Sequence, residues 1–124
     1  MTLPVAIQIG PIRYQVLATT EAYNAVVART NTHFYGHIQD GTTTITLDPD
    51  QVPDHMRWSL LHEVLHGCWH VSDPPGETFT EEQAIRAICG ALLDTLRRNP
   101  ALVAYLMATE EAPRHDHVAP TYQP

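Results

Sequence analysis

Apolar and polar residues alternate in two short runs near the start of the chain, 5–9 and 13–17, broken by Gly10-Pro11. That pattern predicts two strands joined by a tight turn, an opening hairpin. From 20 to 28 the period lengthens. Tyr23, Val26 and Val27 recur at helical spacing, and Thr20 can cap the segment. Residues 34–38 and 43–47 read as a second pair of strands around Asp40-Gly41. In the later strand Thr43, Ile45 and Leu47 alternate with Thr44 and Thr46, which predicts one buried and one polar face.

A polar, proline-containing connection, 48–54, leads into a strongly helical stretch from about 55 to 70. Asp54 is its expected N-cap, and Pro74-Pro75-Gly76 its stop. Thr80-Glu81-Glu82-Gln83 has the form of a capping box, so a second helix starts near Thr80. Ile85, Ile88, Leu92 and Leu96 mark its expected buried face. Asn99-Pro100 supplies an N-cap and a first-turn proline for a short helix through Met107. Residues 110–124 hold three prolines and no periodicity, which predicts a mobile tail behind one domain spanning 1–109.

Composition matters mainly for what it removes. A length of 124 residues fits one domain with its own core, and 44% hydrophobic residues argue against disorder. A formal net charge of −7 offers no electrostatic footprint for nucleic acid or an anionic membrane. No segment has the apolar length of a bilayer span, and the first ten residues lack the pattern of a secretory signal. The expected setting is therefore the cytoplasm, without nucleic-acid or membrane partners. Cys68 and Cys89 both fall in apolar helical patterns and read as free core thiols. Histidine stands out: eight in a chain this short raise the question of metal.

The main helix carries Leu60-Leu61-His62-Glu63-Val64-Leu65-His66-Gly67-Cys68-Trp69-His70. Two histidines four residues apart lie about one turn apart on one helix face, so both imidazoles can reach one ion. Glu63 projects beside that ion, where it can take a proton from a zinc-bound water. A plain polar stripe is the competing account, because His55, Ser59, His62, Glu63, His66 and His70 share one side of the wheel. Yet 8 His and 7 Glu in 124 residues give this four-position pattern by chance only about 0.03 times per chain. The only residue with a fixed charge on that stripe is Glu63, whereas an ordinary solvated face is rich in both signs. Metal binding is the better reading.

A catalytic zinc takes three protein ligands and leaves a fourth position to water. A third histidine in the metzincin manner is excluded, because Trp69 and Ser72 stand where that pattern needs Gly and His. His70 lies on the correct face, but three ligands along one straight helix would span about 12 Å, too far for one ion. A carboxylate from the next helix remains, with Glu77, Glu81 and Glu82 as candidates. Glu77 falls in the loop and is the weakest. Glu81 is preferred over Glu82 because small Ala84, three residues on, leaves room beside the metal helix. An acidic first turn complementing the helix dipole is the ordinary role for the other. His33, Tyr35 and His37 precede a strand and could donate a hydrogen bond to a tetrahedral oxyanion. His115 and His117 could hold only adventitious metal.

The run from Leu60 to His66, then Glu81-x-x-Ala84 and Ala91-Leu92-Leu93, resembles the ImmA/IrrE-like minimal gluzincins. It is most similar to short metallopeptidase-like proteins of bacteriophages, whose second helix likewise ends in a sequence like Arg97-Arg98-Asn99-Pro100. The likeness covers about residues 35–105. It implies His62 and His66 as zinc ligands, Glu63 as base and a helix-borne Glu as third ligand. It also implies that the 43–47 strand is the sheet edge on which a substrate backbone pairs.

The expected fold is α+β: a small, mainly antiparallel sheet packed against the metal helix, with a Glu-bearing helix and a short terminal helix. The expected activity is zinc-dependent peptide hydrolysis, with a protein or peptide as substrate. The alternative is a metal-binding, non-proteolytic phage protein that acts by binding a partner.

Overall fold

A computed structural model describes residues 2–73 and 78–109. The expected tail with His115 and His117, and the ligand candidate Glu77, lie outside the described residues. The elements follow as β1 (Ala6–Ile9), β2 (Ile12–Leu17), α1 (Thr20–Thr30), β3 (Gly36–Gln39), β4 (Thr44–Leu47), α2 (Pro53–Val71), α3 (Glu81–Arg98) and α4 (Pro100–Met107). The architecture is α+β, built on a mixed four-stranded sheet of order β1-β2-β4-β3. β1 pairs antiparallel with β2, and β3 antiparallel with β4, while β2 and β4 run parallel. Gly10 turns the opening hairpin at φ +56, a left-handed conformation that glycine adopts without strain.

Register assigns the two faces. Ile7, Ile9, Tyr14, Val16, Ile45 and Leu47 point one way and are buried. α2 supplies Leu60, Val64 and Cys68 to the same core, and α4 supplies Leu102 and Tyr105. The packing is close: a Cβ added to Gly67 of α2 would meet Ile9 Cδ1 at 2.6 Å. The opposite face belongs to α1, which lies against β4 and whose Arg29 donates to Gln39 at the end of β3.

Several expectations change once the elements pack. The 43–47 strand is not an edge: β4 is held between β2 and β3, so β3 is the edge on that side. Thr46 is buried at 2% exposure, because the face predicted to be polar is covered as well. The Asp40-Gly41 turn forms, but the left-handed residue is Thr43 at φ 49, where the Thr43 amide donates to the Asp40 carbonyl. Thr19, not Thr20, caps α1, its hydroxyl accepting from the Ala22 amide at 3.1 Å. α2 begins at Pro53 with Val52 as N-cap, since proline presets the first helical φ. Asp54 instead pairs with Arg57 at 3.3 Å. The Thr80–Gln83 capping box is present as expected.

α3 packs on the core through Ile88, Leu92 and Leu96 as expected, and departs from the expected face at its first turn. Ile85 is 52% exposed, whereas Thr95 is fully buried and bonds back to the Ala91 carbonyl at 2.7 Å. Cys68 is buried and Cys89 exposed, so only one of the two thiols lies in the core. Asn99 precedes α4 as expected, but its side chain does not cap it. Its Oδ1 accepts from the Gln8 amide, and its Nδ2 donates to the Gln8 carbonyl, both at 2.9 Å. The amide thus stands in for a neighbouring strand on the outer side of β1.

Candidate metal centre

α2 places its histidines and its glutamate in two rows. One row, His55, Ser59, Glu63 and Gly67, turns toward β3 and is buried. The other, His62, His66 and His70, is exposed. One hundred degrees of helical rotation separate His62 from Glu63, enough to put them in different surroundings.

The two imidazoles meet. His62 Nε2 and His66 Nε2 lie 3.2 Å apart, with ring centroids at 4.8 Å. Two nitrogens at Zn–N distances of 2.0–2.1 Å on a tetrahedral ion lie about 3.3 Å apart. The separation of the two nitrogens is thus close to the one that a single zinc would require. Burial, and then the neighbouring His66, hold His62 below its ordinary pKa, which favours the neutral ring that a metal requires. Trp58, one turn earlier, stacks on His62 at 5.2 Å and fixes its plane. Beside the pair opens a cleft of about 300 Å³ lined by His62, Leu65, His66, Trp69 and, from α3, Ile88.

Glu63 is 5% exposed. Its carboxylate lies against the first residue of β3: a Cβ on Gly36 would come within 2.9 Å of both Cγ and Oε2. Glycine is what admits the carboxylate at this edge. Burial alone pushes the Glu63 pKa up from 4.5 to about 7. The metal-free folded protein thus holds a proton on Glu63 between about pH 4.5 and pH 7, where the unfolded chain has lost it. Stability must then fall as pH rises through that window and level off above it. The full shift corresponds to about 3 kcal/mol, the upper limit of the expected loss. Urea unfolding in chelator at about pH 5 and pH 8 should show that slope in wild type and a flatter one in Glu63→Gln.

The other candidates divide. Among the described residues no group of three His, Cys, Asp or Glu side chains is placed to hold a metal. Glu81 and Glu82 are thus not gathered around the histidine pair. Both are exposed in the first turn of α3, and Glu82 Oε2 faces Arg86 Nε at 3.6 Å. Glu81 lies seven residues before Ile88 and three before Ala84, on the α3 face that lines the cleft. Phe79, just ahead of it, rests on Trp69 with centroids at 5.0 Å. His70 Nε2 faces Asp40 Oδ2 at 3.3 Å, while the buried Tyr14 hydroxyl donates to Asp40 Oδ1 at 2.5 Å. This chain ties the end of α2 to the β3–β4 turn.

Of the oxyanion candidates, His37 lies on the α1 face of β3, away from Glu63. His33 Nδ1 is instead 3.1 Å from the Tyr23 hydroxyl. Tyr35 alone stays on the α2 side, edge-on to His55 at 4.4 Å. Sequence reasoning passed over Trp58 and Gly36. The four-residue spacing from Trp58 to His62 was a usable signal, whereas nothing local marks Gly36 as the neighbour of Glu63. No helix among the described residues is long and apolar enough to cross a membrane. No protein-family model, curated protein or solved structure matches this chain.

Proposed function

We propose that the chain is a zinc-dependent metallopeptidase of the gluzincin kind, with His62 and His66 as ligands and Glu63 as general base. The observation that carries this reading is the 3.2 Å separation of the two Nε2 atoms. Zinc held there would supply Lewis acidity, polarising a peptide carbonyl and lowering the pKa of water to about 7. The protein's own groups do the rest. Trp58 orients His62, and Leu65, Trp69 and Ile88 wall one side of the pair with apolar surface. β3, an edge strand of the sheet among the described residues, offers its outer side to an extended peptide backbone. Glu63 takes a proton at its carboxylate and returns it to the leaving amine.

Glu81 is the third ligand this reading favours. It shares the cleft-lining face of α3, whereas Glu82 turns toward Arg86. Zinc titration of the purified protein tests the assignment. About one zinc per chain is expected, with Glu81→Gln weakening binding roughly tenfold or more and Glu82→Gln leaving it nearly unchanged. The reverse order would transfer the role to Glu82. No effect from either would return His70 to consideration.

A further inference from the structure

A row of ring contacts runs from Tyr35 through His55 and Trp58 to His62, and a second cleft opens at its Tyr35 end. Its volume is about 490 Å³, and its walls are Tyr23 from α1 and His33, Phe34, Tyr35 and Asp48 from the segments flanking β3 and β4. Tyr23 and Phe34 meet at 4.9 Å with their planes 52° apart, so the two rings form a corner rather than a stack. Asp48 is the acidic residue among these walls. Its Oδ1 accepts from the Asp50 amide at 3.0 Å, and its own amide donates to the Tyr35 carbonyl at 2.9 Å. Gln51 Nε2 donates to the same Tyr35 carbonyl, also at 2.9 Å, and to the Asp48 carbonyl at 2.8 Å. The cleft is therefore braced by backbone hydrogen bonds on the Asp48 side.

We infer that this cleft is a subsite for an Arg or Lys side chain of an extended peptide lying along β3. Aromatic faces attract a cation through their quadrupole, and a carboxylate beside them completes the recognition of an ammonium or guanidinium. The rest of the molecule favours the same sign, since the formal net charge is −7. The location gives the cleft its link to the metal centre. Tyr35 is followed directly by Gly36, against which the Glu63 carboxylate rests. A backbone paired to the outer edge of β3 therefore passes Glu63 and meets the cleft at the strand's N-terminal end. The route along β3 rests on the peptidase reading, while the cleft's preference for a cation does not.

The test uses capped alanine-based pentapeptides carrying Arg, Lys, norleucine or Glu at the centre, titrated into the full chain with and without zinc. Binding is read from the NMR shifts of the Tyr23, Phe34 and Tyr35 rings. The Arg and Lys peptides should bind roughly tenfold tighter than the norleucine peptide, about 1.4 kcal/mol, and the Glu peptide weakest. Asp48→Asn keeps the acceptor for the Asp50 amide and should bring Arg, Lys and norleucine close together. Tyr23→Leu, on a different element, should weaken the Arg and Lys peptides most. Norleucine binding as tightly as Arg, or a preference that survives both substitutions, would overturn the subsite. A chain that prefers Arg and Lys here but takes up no zinc would overturn the peptidase reading and support the cleft. A zinc-loaded enzyme that cleaves Arg and norleucine peptides alike would overturn the cleft alone.

Discussion

Glu63→Gln protein should bind zinc as wild type does and lose peptide hydrolysis by roughly 10²–10⁴-fold or more. The amide matches the carboxylate in size, so it fits the space against Gly36 where a Cβ would already crowd Cγ and Oε2. It cannot accept the proton. A single residue serving both proton transfers should put the loss toward the upper end of that range. Substrate binding should persist, so the variant can retain a partner in a pull-down that wild type would cleave and release. A protein that acts purely by binding predicts equal biological activity for wild type and Glu63→Gln. Equal activity in the same assay would make this chain an interaction protein with an unused metal site.

Replacing either histidine should remove zinc without unfolding the protein. His62 and His66 are exposed, and the core on the sheet side of α2 is made by Leu60, Val64 and Cys68. With zinc at about a hundred times its dissociation constant, wild type should gain roughly 2.7 kcal/mol, a rise in Tm on the order of 10 °C. His62→Ala and His66→Ala should each abolish most of that rise while leaving the metal-free Tm close to wild type. A wild-type Tm that does not move with zinc would defeat the metal reading altogether.

The parts of this structure that were legible in the sequence are those fixed by neighbours in the chain. The Gly10-Pro11 turn, the Thr80–Gln83 capping box and the pairing of His62 with His66 each depend on residues within one turn of each other. What was not legible depends on what lies across the fold. The helical wheel put Glu63 with the exposed histidines, because nothing in α2 itself says that β3 lies against that row. Thr46 read as solvent-facing for the same reason, since its cover comes from outside its own hairpin. Ile85 looked like core and Thr95 did not. α3 docks through its later turns, and the hydroxyl of Thr95 is satisfied by the Ala91 carbonyl. Asn99 was recognised by position as a cap, yet its amide bonds to Gln8, 91 residues away.

That last contact governs the order in which the molecule can assemble. During synthesis the β1–β2 hairpin emerges well before α3, and the outer side of Gln8 finds its partner only after residue 99 has left the ribosome. Closing a loop of that length costs about 4 kcal/mol of chain entropy, which the docking of α3 and α4 must offset. Until then the first strand carries a bare edge, and a chain stopped short of Asn99 would carry it permanently. The outer side of β1 is therefore completed only after α3 has been made, by a clamp that joins Gln8 to the residue just past that helix.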